Sequence, residues 1–229
     1  MTVFRYALLR NLRSPVSYLA GLVVPVVLIL FMGNTWVYMP ASGLGTLVML
    51  MLLSSNLLAS LVLEDRIDGS IMKVLTSPTT MTRYVFQNLL AAMIPLVLQI
   101  ALLGMLGPLR YDWTGIFTIG VVVTLFICTI TITAFSFCWN MYFTNKNSSK
   151  YAFLLFMALV LLLSGLMIPM EALPGWLRHV GAILHPYWFV RAVLILVDDG
   201  MTAQFWLYNV IVLLFGVGFI LLGGRRRRM

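Results

Sequence analysis

The sequence predicts an all-α integral membrane fold, six transmembrane helices preceded by an interfacial helix, and three observations support it. Of the 229 residues, 62% are hydrophobic and only 10% are charged, whereas an ordinary soluble domain carries about 25% charged residues. Six stretches meet the requirement of roughly 20 predominantly apolar residues for crossing the hydrocarbon. The basic residues then fall almost wholly in alternate connections, as the positive-inside rule demands.

The first segment, MTVFRYALLRNLRSP, places Phe4, Ala7, Leu8 and Leu12 on one helical face and Arg10 and Arg13 opposite. It reads as an imperfect interfacial helix, with Leu9 and Asn11 on the wrong sides. Residues 16–37 exceed the apolar core of a signal peptide and form the first span, with Pro25 as a kink. The second span is 44–63. After it comes EDRIDGSIMKVLTSPTT, the longest charged interruption in the chain. There Glu64, Asp65 and Asp68 precede Lys73, the order that complements a helix dipole, while Ile67, Ile71, Val74 and Leu75 recur at helical spacing. A short amphipathic helix over 64–76 is expected, ended by Pro78, which disfavours the helical conformation at Ser77. Its apolar stripe is either a solvated loop face or a docking face covered by headgroups or a partner protein.

Spans three to five are expected at 82–106, 114–138 and 150–168, and the sixth at 203–223. Between the fifth and sixth, Val180 to Val197 is almost long enough to cross. His185-Pro186 and Arg191 interrupt it, and a seventh crossing would put Arg225 to Arg228 on the outer side. Two short helices dipping into the outer leaflet fit better, at 174–184 and 186–197, starting at Pro174 and Pro186. Trp176, Tyr187 and Trp188 then lie at headgroup depth. With the N-terminus inside, twelve of the fifteen basic residues are internal and only Arg110, Arg178 and Arg191 external. Both termini and the loop around Gly69 are therefore placed in the cytosol.

Several functions are disfavoured by what the chain lacks. No Asp, Glu, Lys or Arg lies deep in a span, so there is no ionisable relay of the kind used in proton coupling. Asn56, Gln99, Thr124, Thr129, Thr131, Thr133 and Ser136 can be satisfied by neighbouring helices or by the carbonyl one turn back. HExxH and GxSxG are missing, and His179 and His185 lack a matching ligand set, so neither a metal site nor a catalytic one is expected. Without a GK dipeptide no phosphate-binding loop can be built, so ATP chemistry must come from another chain. The scattered basic residues do not make a nucleic-acid surface. Cys128 and Cys138 stand about 15 Å apart along one helix, beyond disulfide reach.

The chain resembles the membrane (permease) subunit of type-2 ABC exporters over essentially its whole length. The resemblance is carried by the basic N-terminal helix, the six spans, Glu64-Asp65-Arg66, Gly69-Ser70 and Leu75-Thr76-Ser77-Pro78, then Leu173-Pro174-Gly175-Trp176-Leu177 and His185-Pro186. His185 stands where the family often has Asn. The resemblance implies a half-transporter that pairs with a second copy of itself or a homologous permease, in the plasma (inner) membrane of a bacterium. Two copies of an ABC ATPase subunit would carry ATP and Mg, with no cofactor held by this chain. Residues 64–76 would be the coupling helix, its stripe in an ATPase groove and Glu64, Arg66 and Lys73 at the rim.

By the same resemblance, spans two and five line the substrate path, through Met49, Leu52 and Asn56 and through Phe156, Leu159 and Leu163. The outer helices, with Pro174, Trp176, Pro186 and Trp188, would form a lid. So apolar a lining suits amphipathic or hydrophobic cargo, a drug, antimicrobial peptide or lipid. Export of a lipid-linked glycan or of sodium by the same fold, and a scaffold that moves no cargo, are the alternatives.

Overall fold

The computed structural model describes residues 3–13, 27, 40–70, 81–166, 168 and 172–225. Regular structure among them is eight α-helices: α1 (Val3–Arg13), α2 (Pro40–Ile67), α3 (Met81–Tyr111), α4 (Gly115–Tyr142), α5 (Lys146–Leu163), α6 (Gly175–Gly181), α7 (His185–Asp198) and α8 (Ala203–Arg225). Five of them, α2, α3, α4, α5 and α8, are long and apolar enough to cross a membrane, and they correspond to the expected second to sixth spans. The expected first span, 16–37, lies outside the described residues apart from residue 27, as do residues 71–80.

Helix boundaries differ from expectation where polar residues offer no break. α2 runs through Glu64, Asp65, Arg66 and Ile67 as one helix with the second span, so a separate helix does not begin at residue 64. Charged residues propagate a helix well, and the first stop is Gly69. Its φ of +70° is the left-handed turn that commonly ends a helix. α3 continues past the expected end at 106 to Tyr111, with Pro95 and Pro108 inside it. α5 spans Lys146–Leu163 and stops short of 168. Its start is set by Asn145, whose side chain accepts from the backbone N–H groups of Asn147 (2.8 Å) and Ser148 (3.4 Å). Thr114 begins α4 similarly, accepting from Phe117 N–H at 3.3 Å.

The outer connection holds two short helices, bent from each other by 104°. Pro174 stands just before α6, outside its first turn, and α6 has only seven residues. Pro186 lies in the first turn of α7, where its missing N–H costs nothing.

α4 is the centre, packed by α2, α3, α7 and α8. Small residues permit the close approaches: a Cβ on Gly120 would stand 2.4 Å from Leu196 of α7, and one on Gly216 of α8 would stand 2.9 Å from Thr131 Oγ1. Thr129 and Thr133 donate to the carbonyls of Leu125 (2.8 Å) and Thr129 (2.7 Å), one turn back as expected. Thr131 also donates across to Val212 O at 2.7 Å, tying α4 to α8.

α5 is peripheral, with Tyr151, Leu154, Leu155, Leu159 and Leu162 exposed along it. α1 lies on α3, and the expected imperfect face is seen there: Ala7 is buried and Phe4 and Leu8 half-buried, with Asn11 and Leu9 on the sides expected to be wrong for them. Asn11 is buried on the packed side of the helix, while Tyr6 and Leu9 face out.

Candidate functional site

The basic end of the bundle gathers α1, the end of α2, the starts of α3 and α5 and the end of α4. Successive helical residues diverge by about 100°, so the three charges closing α2 point at three different neighbours.

Asp65 faces α1 and α3. It accepts from Arg10 Nη1 at 2.8 Å and from the Tyr84 hydroxyl. Arg10 also donates to Asn88 Oδ1 at 3.1 Å, and Asn88 Nδ2 donates to Tyr84 O at 2.9 Å. The Arg10–Asp65 pair is about four-fifths shielded, with side-chain exposures of 22% and 23%. A second tie joins α1 to α3, Phe4 N–H donating to Gln87 Oε1 at 3.0 Å.

Glu64 faces α5 and pairs with Lys146, the first residue of that helix. Arg66 faces the end of α4, its Nη1 lying 3.3 Å from Met141 O and 3.5 Å from Asn140 O. Those carbonyls have no partner within their own helix, and a cation at the negative end of the dipole is favourable. All three charges therefore bind within the chain, and Glu64 and Arg66, expected at the rim of a partner, are both engaged here. Ile67 is 50% exposed, and Asp68 and Ser70 are exposed beside it. Gly69 makes the turn. Ile71, Lys73, Val74, Leu75, Ser77 and Pro78 lie outside the described residues.

One layer deeper, a neutral network repeats the pattern. Asn140 Nδ2 donates to Asn56 Oδ1 at 2.8 Å and to Ser136 O at 2.9 Å, while Ser149 Oγ donates to Asn140 Oδ1 at 3.0 Å. Trp139 Nε1 adds a bond to Ser149 O at 3.3 Å. α2, α4 and α5 are thus fastened at two levels. Away from water such fully partnered amides hold a fixed geometry.

The six residues expected along a substrate path are not brought into one wall. Met49, Leu52 and Asn56 are buried in the chain's own core, Asn56 committed to Asn140. Phe156 is half-buried among Phe135, Trp139 and Phe153. Leu163 is half-buried too, and Leu159 is 48% exposed on the outer face of α5.

The four outer residues also separate. Pro174 and Trp176 are exposed, Trp176 at 68%. Pro186 is buried. Trp188 donates to Ala182 O at 2.8 Å and packs on Tyr187 and Tyr208. It clips the bend between α6 and α7. Arg191, the charge that opposed a seventh crossing, lies over the Tyr187 ring and donates to its hydroxyl at 3.2 Å.

Sequence reasoning did not find His185 as a packing centre. It is fully buried at the head of α7, with ring centroids 5.2 Å from Phe135 and 5.7 Å from Phe219. Phe219 is sixteen residues into α8 from Ala203, about 24 Å along that helix. The bend between α6 and α7 thus reaches well down the bundle.

A family model described as "ABC-2 type transporter" matches residues 1–197, from the N-terminus to the last turn of α7. No curated protein matches the chain.

Proposed function

We propose that this chain, which belongs to the ABC-2 type transporter family as the permease component of a type-2 ABC transporter, exports an amphipathic or hydrophobic substrate powered by a separate ATPase. The membership itself makes it a multi-pass membrane protein without a catalytic site of its own, associated with an ABC ATPase. What supports the further reading is the construction at the end of α2.

A force applied to the loop after Ile67 enters α2 at Glu64, Asp65 and Arg66. From there the bonds to Lys146, Arg10, Tyr84 and the α4 carbonyls deliver it to α5, α1, α3 and α4 together. The stripe begun by exposed Ile67 and continued in sequence by Ile71, Val74 and Leu75 is the docking face for the ATPase. Hydrophobic residues in a groove supply the affinity and the flanking charges the register. ATP and Mg, held by two ATPase copies, close that dimer, and two permease chains change packing between inward-open and outward-open arrangements.

In this reading the basic end is cytosolic, in a bacterial inner membrane, and α6 and α7 form a re-entrant lid on the outer side. Cargo moves between the paired chains, since α2 contributes Met49, Leu52 and Asn56 to the core of its own chain. The exposed apolar face of α5 is then the candidate lining, with Leu159 the one expected path residue already on it.

The test is Ile71→Asp, with copurification of the ATPase and substrate-stimulated ATP hydrolysis as readouts. An unpaired carboxylate in a dry groove is expected to remove binding by several kcal/mol. Insertion and pairing of the permease should be intact. Unaltered ATPase binding and turnover would mean that the stripe faces water or headgroups.

A further inference from the structure

α1 packs one face against α3 and leaves the other open. Arg5, Tyr6, Leu9 and Arg13 are exposed, Tyr6 at 61% and Leu9 at 37%. A helix turns by about 100° per residue, so these four fall within about 100° of one another. They make one outward stripe, with Arg5 and Arg13 about 12 Å apart along the axis and Leu9 midway between them.

Depth and charge decide what the stripe meets. Phe4 N–H bonds to Gln87 and Arg10 to Asn88, so well-separated residues of α1 reach adjacent residues of α3. α1 therefore crosses α3 instead of running beside it, and does so about 10 Å in from the start of α3 at Met81. Phe86 and Leu90, on that stretch of α3, are apolar and exposed. The level is the boundary between headgroups and hydrocarbon, where a helix lying in the interface sits.

α1 carries no acid. Arg10 is engaged by Asp65 and Asn88, whereas Arg5 and Arg13 bond to nothing among the described residues. Asp65 is itself held by Arg10 and the Tyr84 hydroxyl, so it neutralises neither of them. An unpaired guanidinium offers a planar fork of donors that matches phosphate oxygens. Tyr6 and Leu9, beside the two arginines, suit the apolar layer just beneath the headgroups.

We infer that the outward stripe of α1 is a seat for anionic phospholipid, with Arg5 and Arg13 on headgroup phosphates and Tyr6 and Leu9 inserted beside them. Two cations on a face without acids favour an anionic surface over a zwitterionic one. Because Arg10 of the same helix holds Asp65, the seat fastens the end of α2 to the lipid surface. It requires only that the chain stand in a membrane, whatever it transports.

The test places a bromine-quenched fluorophore on the full-length chain at Tyr6→Cys, both native cysteines being buried. The labelled chain is reconstituted in mixed bilayers of phosphatidylglycerol and phosphatidylcholine, with first one lipid and then the other brominated in its acyl chains. Brominated phosphatidylglycerol is expected to quench as though enriched about fivefold at the label, the factor that one basic residue gives near an anionic surface. Arg5→Gln with Arg13→Gln should abolish the enrichment, and Arg5→Lys with Arg13→Lys should keep it. Equal quenching by the two lipids in the parent chain, or none by either, overturns the seat. So does enrichment that survives the paired glutamine substitutions. Quenching that disappears when the ATPase binds overturns it too, because the stripe then belongs to that partner.

Discussion

The two ends of the bundle are held by different chemistry. At the basic end, ion pairs and amide bonds cross between helices distant in sequence: Arg10 to Asp65, Glu64 to Lys146, Asn56 to Asn140. At the opposite end, α6 is seven residues long, its polar side chains bond locally, and Trp176 projects outward. Directional bonds between helices fix relative position, whereas apolar packing at one buried bend permits pivoting about it. Under the proposed function the basic end moves as a unit, and the α6–α7 pair moves against it.

The largest effect should come from Asp65→Ala. It leaves Arg10, shielded from water and tied to Asn88, without its carboxylate, and the Tyr84 hydroxyl without an acceptor. A loss of about 3 kcal/mol is expected, read as a lower unfolding temperature in detergent together with protease access to α1. If stability is unchanged, the basic end is not knitted through this residue. Asn140→Ala ranks next, at about 2 kcal/mol, since it separates α2, α4 and α5 at once and leaves the Asn56 amide buried. Thermal unfolding in the same detergent checks it.

At the other end the expected effects are smaller and unequal. Trp188→Phe keeps the ring but removes the donor to Ala182 O, for about 1 kcal/mol. Trp176→Ala should leave stability within about 0.5 kcal/mol, as exposed sites do. It should still bind the ATPase, with any defect confined to substrate release. If Trp176→Ala unfolds the protein or abolishes complex formation, the contrast between the ends fails.

A control inside the bundle sharpens the point that partnered polar groups do the holding. Gln99 is buried with neither amide atom bonded among the described residues, so Gln99→Leu should be neutral or stabilising by up to about 1 kcal/mol.

What the sequence reveals here follows the range of each interaction. Five spans were legible because twenty apolar residues are a compositional signal. The bonds of Thr129, Thr131 and Thr133 to the preceding turn are legible because they are local, whereas Thr124 Oγ1 and Ser136 Oγ find no partner among the described residues. The run of charge suggests a boundary at Glu64, while the helix continues to Ile67 and the chain turns only at Gly69.

Asp65 and Arg66 stood out as charged, yet their partners Arg10, Tyr84 and Met141 lie 19 to 75 residues away. No periodicity encodes such pairings. Asn56 shows the same limit: its spacing places it on one face with Met49 and Leu52, but that face turns inward to Asn140. His185 was recognisable through the proline after it, though not through the two phenylalanines that enclose it from α4 and α8.

The claim that the end of α2 is a rigid lever is tested most directly by electron–electron distance measurement on spin labels at Leu9 and Asp68. Both are exposed, one on α1 and one just past the end of α2, outside the docking stripe. A second pair, at Asp68 and Trp176, joins the two ends of the bundle. Each is measured in the complex with the ATPase, nucleotide-free and then trapped with ATP. The account predicts an unchanged Leu9–Asp68 distance while the Asp68–Trp176 distance shifts. A Leu9–Asp68 distance that shifts as much as the other would contradict it.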